Sequence, residues 1–187
     1  EIDPHILIRA QRREEDAMRY LLLFYQVRVH RYLWRMLGSL GSTALIEDLT
    51  QDTFLRMFEA LPRYRRTQAA FSTWLFTIAN RLAINELQKC KTAKTAQQQV
   101  IELHQHPLDR DPGQHLEHNR IGQAIKREID ELSPEYRAAF LLSEYEGYSQ
   151  RDIAQILGIE VGTVKSRLSR AKAKLRSALQ EKYDVSL

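Results

Sequence analysis

The chain has 187 residues, with 28 Lys and Arg against 24 Asp and Glu, a formal net charge of +4 and a single cysteine, Cys90. That length allows one domain of average size or two small ones. A hydrophobic share of 43% excludes wholesale disorder, the lone Cys90 excludes an internal disulfide, and no apolar run approaches the roughly 20 residues of a bilayer span. The opening EIDPHILIRAQRREED shows no basic stretch followed by an apolar one, so no signal peptide is visible and a cytoplasmic protein is the expectation; the true N-terminus is left open, since the chain begins without Met.

Glycine and proline are scarce, 7 and 5, and apolar residues recur at three- and four-residue spacing. That pattern predicts an all-α protein. Two small helical domains are expected, over residues 1–88 and 121–187, joined by a polar linker over 89–120. The first block, from Glu14 to Gln88, carries about four helical patterns broken at Gly38, Gly41 and Pro62.

In this block residues 44–61 read ALIEDLTQDTFLRMFEAL. Ile46, Leu49, Thr53 and Met57 share one side of the helix, and Asp48, Gln51, Asp52, Leu55 and Glu59 the other. An exposed Leu55 inside an acidic patch suggests a protein-docking surface, with a plain acidic helix as the alternative. Residues 62–88 follow as PRYRRTQAAFSTWLFTIANRLAINELQ. Tyr64, Arg65 and Arg66 form a basic, aromatic loop, and Ser72 is placed to N-cap the next helix. Thr73, Thr77, Asn80 and Arg81 are expected on its outward side. Aromatics among arginines suit single-stranded DNA, whose bases stack on rings while cations track the phosphates. Phe71 and Trp74 have two readings, as stacking platform or as core.

The stretch from Lys89 to about Arg120 holds three consecutive glutamines, Pro107, Pro112, Gly113 and four histidines. It reads as a solvated linker. A metal site built from His104, His106, His115, His118 and Cys90 matches no strong zinc spacing, so no metal and no cofactor are expected.

The last block contains SQRDIAQILGIEVGTVKSRLSRAKAKLRSAL over 149–179. Ser149 can N-cap a helix whose apolar face is Ile153, Ala154, Ile156 and Leu157. Gly158 sits where a helix end wants a left-handed residue, and Thr163 opens a second, basic helix. A short helix, a tight turn with Gly and a longer basic helix make a helix-turn-helix. In the second helix Val164, Leu168, Ala171, Leu175 and Ala178 fall on the packing stripe. Ser166, Ser169, Arg170 and Ala173 fall opposite, flanked by Lys165 and Arg176; the small residues let the backbone approach base edges, Arg can read guanine, and the flanking cations neutralise phosphates.

Three strings carry a resemblance to a known family. GTVKSRLSRAKAKL, within residues 133–176, resembles region 4 of sigma-70-type RNA polymerase sigma factors, particularly the extracytoplasmic-function (ECF) group. DLTQDTFLRMF resembles sigma region 2.2, and FSTWLFTIANRLAINELQK resembles regions 2.3 and 2.4. The resemblance covers about residues 10–88 and 121–181. It implies that Asp48, Gln51, Asp52, Thr53 and Leu55 dock on the clamp of core RNA polymerase. It implies that Tyr64, Arg65, Arg66, Phe71, Thr73, Trp74, Thr77, Asn80 and Arg81 meet the melted −10 element. Arg151, Thr163, Lys165, Ser166, Arg167, Ser169 and Arg170 would then meet the −35 duplex.

The same resemblance implies a contact with the polymerase flap and an anti-sigma partner, usually membrane-linked, with no insertion of this chain into a membrane. The chain departs from many members at Ile78-Ala79-Asn80-Arg81 and at Asn85, Gln88 and Lys89, which leaves the −10 sequence open. No phosphate loop, GxSxG or HExxH string is present, so no catalysis is expected. Two alternatives are a LuxR-type regulator, which shares the C-terminal module, and an anti-sigma decoy with sigma-like surfaces. The strings DLTQDTF and FSTWLFTIAN argue against the first, and the intact basic helix against the second.

Overall fold

The computed structural model describes residues 2–65, 69–96 and 116–183, with backbone alone at 39, 93–96, 116–121 and 183. Arg66 and the side chains of His104, His106, His115 and His118 lie outside the described residues. The described residues are helical with no strand, as the scarcity of glycine and proline predicts. In chain order the helices are α1 (Pro4–Gln11), α2 (Glu15–Leu37), α3 (Thr43–Ala60), α4 (Phe71–Ala96), α5 (Leu116–Asp130), α6 (Pro134–Glu144), α7 (Gln150–Leu157) and α8 (Val161–Tyr183). Helix therefore continues past Gln88 and resumes before Ile121.

Local chemistry explains the element ends. Asp3 caps α1 by accepting from the His5 N–H at 2.8 Å, with Pro4 at the first turn, where its missing N–H matters least. Ser42 caps α3 by accepting from the Leu45 N–H at 3.2 Å. Helix α2 ends at Gly38, whose φ is +57°; a Cβ there would lie 2.4 Å from Asp130 Oδ1. Only glycine accommodates both the backbone and that close approach. The expected cap at Ser72 is not used. Helix α4 begins one residue earlier, at Phe71, and Ala70 supplies the carbonyl that accepts the Trp74 N–H at 3.0 Å.

Helices α1 to α4 pack around Leu21, Val29, Leu33 and Met36 of α2, Ile46 and Met57 of α3, and Leu75, Phe76, Ala79 and Ala83 of α4. The Gln11 amide ties α1 to the α3–α4 connection by donating to the Leu61 and Tyr64 carbonyls at 3.2 and 2.8 Å. Helices α5 to α8 form a second cluster, with Ala139, Leu141 and Leu142 of α6, Ile153 of α7, and Val164 and Ala171 of α8 at its centre. Lys182 fastens the end of α8 to α5 through both Glu128 carboxylate oxygens at 3.0 Å.

The clusters are also joined to each other. Helix α6 packs on α2 and α7 packs on α4, so one apolar core runs through both. The Arg137 guanidinium of α6 is buried and donates to the Met36 carbonyl at 2.8 Å and the Leu132 carbonyl at 3.1 Å, and also to the Asp130 carbonyl. Burial lowers the pKa of this guanidinium from its usual value.

Candidate nucleic-acid and polymerase interface

The duplex-facing candidate is built by α7, its turn and α8. Ser149 Oγ accepts from the Asp152 N–H at 3.2 Å and donates to Asp152 Oδ2 at 2.5 Å, a reciprocal cap at the start of α7. The helix ends on Gly158 in the left-handed region, φ +65° and ψ 40°, and the Ile159 N–H reaches back to the Ala154 carbonyl at 3.0 Å. This glycine turn sets the angle at which α8 leaves. Helix α8 opens at Val161, two residues before the expected Thr163, because the Glu160 carbonyl already accepts the N–H groups of Thr163 and Val164.

The faces of α8 divide as the spacing predicts. Val164, Leu168, Ala171 and Leu175 are buried; Thr163, Lys165, Ser166, Ser169, Arg170, Ala173 and Arg176 are exposed, with Arg167 half-buried. Arg151 is exposed on α7. Arg170 Nη1 lies 3.5 Å from the Tyr136 phenol oxygen, and Lys174 Nζ sits 5.3 Å from the centre of the same ring. The Arg170 hydrogen bond holds the Tyr136 phenol below its usual pKa, helped by the charges of Arg170, Lys174 and Arg167. Positive potential is therefore concentrated on this face, where phosphate is the natural ligand.

The single-strand candidate differs from its sequence reading. Tyr64 and Phe71 are buried and form an aromatic cluster with Trp74 and Tyr25; the ring centres of Tyr64 and Trp74 are 4.9 Å apart, and those of Tyr25 and Phe71 are 5.5 Å apart. The Tyr64 hydroxyl donates to the Ala69 carbonyl at 2.8 Å, closing its own loop. An exposed stacking platform is thus not what Tyr64 and Phe71 form here; Trp74 is half-buried against them. Thr73 and Asn80 are also buried, at 1% and 6% exposure, and not on an outward side. Asn80 Oδ1 accepts from the buried Tyr32 hydroxyl at 2.8 Å. The physical reason is that α4 is packed by α2 and α3 and again by α7, so more than one stripe of it is covered. Thr77 is half-buried, and Arg65 and Arg81 are exposed.

The docking candidate is a groove between α2 and α3. Leu22, Gln26 and His30 form one wall, and Glu47, Asp48, Gln51, Phe54, Leu55 and Phe58 the other. Leu55 is 56% exposed, a large apolar side chain facing solvent beside carboxylates. Asp52 holds Arg56 at 3.0 Å on the same helix. Thr53 lies on the buried side, as the helical spacing predicts, and not among the exposed docking residues that the resemblance implies. It is fully buried and its hydroxyl donates to the Leu49 carbonyl at 2.7 Å, so it supports the helix from within and offers nothing to a partner. The α2 wall was not legible in the sequence, since Leu22, Gln26 and His30 join the site only through packing of α2 on α3.

The sequence matches two family descriptions in this order, Sigma-70 region 2 over residues 23–92 and Sigma-70 region 4 over residues 122–175. Among curated relatives, the RNA polymerase sigma-H factor of Pseudomonas aeruginosa is 30% identical over 187 residues, covering 96% of this chain and 95% of that protein. The ECF RNA polymerase sigma factor SigW of Bacillus subtilis is 28% identical, covering 90% of this chain and 91% of its own. The ECF RNA polymerase sigma factor SigE of Mycolicibacterium smegmatis is 32% identical over 154 residues, and the match spans 57% of that longer protein. Among solved structures, CnrH in complex with the cytosolic domain of CnrY shares the fold at a TM-score of 0.70 and 21% identity, covering 97% of this chain and 99% of the other. The sigma factor RpoE of Bartonella quintana, solved with the anti-sigma factor NepR, also matches at 0.70 with 24% identity, covering 88% of this chain and 97% of the other.

A two-part helical protein with a region 2 fold and a region 4 helix-turn-helix is a sigma-70-type transcription initiation factor, not an enzyme. This chain belongs to the ECF group of RNA polymerase sigma factors. Among the described residues no helix is long and apolar enough to cross a membrane.

Proposed function

We propose that this sigma factor recruits core RNA polymerase through the α2–α3 groove and directs it to promoters by two separate DNA contacts. The observation that carries the reading is the presence on one chain of an acidic groove with an exposed Leu55 and a helix-turn-helix with an exposed basic face. Asp48, Gln51, Asp52 and Leu55 would meet the polymerase clamp. Arg151, Thr163, Lys165, Ser166, Arg167, Ser169 and Arg170 would meet the −35 duplex, the small side chains admitting the backbone to base edges and the cations holding phosphates.

For the melted −10 strand, the exposed Arg65 and Arg81 and the half-buried Trp74 and Thr77 are the contact groups. Arg66 joins them by sequence, and Tyr64, Phe71, Thr73 and Asn80 shape the surface from behind. The C-terminal unit also meets the polymerase flap, and the protein acts in the cytoplasm. One similar structure holds a sigma factor bound by an anti-sigma factor, which supports an anti-sigma partner here, membrane-linked as is usual in the group.

Dividing DNA contacts between two units makes recognition depend on the polymerase that spaces them. The test adds the protein to sigma-free core polymerase and measures transcription from a promoter library. Initiation that needs both proteins is the expected result. Tight promoter binding without polymerase, and no initiation with it, would overturn the reading.

A further inference from the structure

Arg170 belongs to a run of like charges along one side of α8, with Arg167 three residues before it and Lys174 four residues after it. On a helix those spacings make neighbours, and cations so placed repel one another. A long guanidinium in that company gains nothing by keeping one rotamer, yet bidentate reading of a base needs one. The structure sets an aromatic side chain from another helix against this run. Arg170 Nη1 reaches the Tyr136 phenol oxygen at 3.5 Å, the long end of hydrogen-bond range, and Lys174 Nζ lies 5.3 Å from the centre of the same ring.

Tyr136 is itself held firmly. It lies in the first turn of α6, where its N–H donates to the Ser133 carbonyl at 3.0 Å, and its half-buried ring packs on the core. The next residue, Arg137, is anchored on the Met36 and Leu132 carbonyls. A phenol also suits the place chemically. A carboxylate there would grip Arg170 more tightly and cancel charge that phosphates need, and an aliphatic side chain would offer neither acceptor nor ring. A neutral acceptor with a π face holds two cations at a set separation and leaves their charge intact. The adjacent acid, Glu135, is turned instead to its own backbone N–H and the Ser133 hydroxyl, which hold its carboxyl below the usual value.

We propose that Tyr136 is a positioning residue for −35 recognition: its phenol sets the Arg170 guanidinium for a base edge, and its ring keeps Lys174 aside for phosphate. The inference rests on the proposed base contact of Arg170. A contact of 3.5 Å is readily exchanged for the acceptors of a base, so Tyr136 acts before the DNA is met, by reducing the rotamer freedom that Arg170 loses on binding. Specificity at one base pair thereby depends on α6, outside the helix-turn-helix and 34 residues from the side chain it serves.

The experiment is a double-mutant cycle on the full chain: wild type, Tyr136→Phe, Arg170→Ala and the double variant, each assembled with core polymerase. Each holoenzyme binds promoter fragments randomised over the −35 positions, and the bound fraction is sequenced. Tyr136→Phe keeps the ring and removes the acceptor. It is expected to relax preference at the Arg170 base pair by about fivefold, with the other −35 positions unmoved. In the Arg170→Ala background the same substitution is expected to change nothing, a non-additivity that a merely structural role does not produce. Binding of the free chains to a random-sequence duplex gives a second readout. Tyr136→Phe is expected to leave its salt dependence unchanged, whereas Tyr136→Glu is expected to lower the slope by about one, since the new carboxylate cancels a cation.

Equal relaxation in both backgrounds would give Tyr136 a DNA contact of its own and overturn the positioning role. Full preference in Tyr136→Phe, or an unchanged salt slope in Tyr136→Glu, would overturn it as well. If Arg170→Ala leaves every −35 preference intact, the base contact of Arg170 falls, and the role of Tyr136 with it.

Discussion

Arg137 and Met36 stand 101 residues apart in the chain, and Nη1 of the first donates to the carbonyl of the second at 2.8 Å. That carbonyl lies near the C-terminus of α2, where helical carbonyls lack intrahelical partners. The side chain that satisfies it belongs to α6. One buried guanidinium thereby closes the last turn of α2, the α5–α6 connection and the seam between the two helical clusters.

Replacing Arg137 by Met keeps much of the volume and removes all the donors. The carbonyls of Met36, Asp130 and Leu132 would lose these partners. A loss of stability on the order of 3 kcal/mol is expected, read as a lower midpoint in urea unfolding. A midpoint within error of wild type would show that water replaces the guanidinium without cost.

Glu146 carries a testable sign. Burial raises its pKa above the usual carboxylate value, against the opposing charges of Arg28, Arg35 and Arg31 on α2. Buried Tyr32 on α2 and Tyr148 on the same turn lie within electrostatic range. A group whose folded pKa is raised favours the state that holds the proton. The contribution of Glu146 to folded stability is then fully present at pH below the ordinary Glu value and is lost as pH rises through the raised value. The urea midpoint is expected to fall as pH rises through that window, and Glu146→Gln is expected to flatten the change. An unaltered pH profile in Glu146→Gln would assign the effect to another group.

Asn80 separates a structural role from a recognition role. Its side-chain oxygen accepts the Tyr32 hydroxyl inside the core, and burial pushes the Tyr32 phenol well above its usual pKa. Asn80→Ala strands that hydroxyl, so a loss of about 1–3 kcal/mol is expected in thermal or urea unfolding. A stable variant with altered −10 preference would return Asn80 to the DNA surface.

On α8, Arg170→Ala should weaken binding to the −35 element by about 1–3 kcal/mol and relax preference at one base pair. Electrophoretic mobility shift with holoenzyme on single-base promoter variants measures both. Equal weakening on all variants would assign Arg170 to phosphate instead of a base.

In the docking groove, Asp52→Arg reverses one carboxylate beside Leu55. Affinity for core polymerase is expected to fall at least tenfold, with the helical circular dichroism unchanged, because Asp52 pairs only at the surface with Arg56. Retained core affinity would move the docking face elsewhere.

The helix-turn-helix was legible because each of its signals is local. Ser149, Gly158 and the spacing of Val164, Leu168, Ala171 and Leu175 act within a few residues of chain. The same holds for the exposed face of α8 and for Leu55 among the acids of α3. The single-strand reading fared differently at Tyr64, Phe71, Thr73 and Asn80. Periodicity assigns one buried stripe to a helix, but α4 is covered by α2 and α3 on one side and by α7 on another. Nothing within residues 62–88 announces a neighbour that arrives from residues 150–157.

By itself, then, the sequence determined the helical class, the cap and turn chemistry, the order of an acidic helix with an exposed Leu55 before a helix-turn-helix, and the family. These depend on propensity and spacing, which operate over one or two turns of helix. Tertiary structure alone decided that Arg137 is a buried strut, that Leu22, Gln26 and His30 wall the groove beside Leu55, and that Glu146 and Tyr148 grip Arg28 and Phe76. Each of those relationships joins residues distant in sequence, and the contact exists only once the hydrophobic faces of separate helices have found one another.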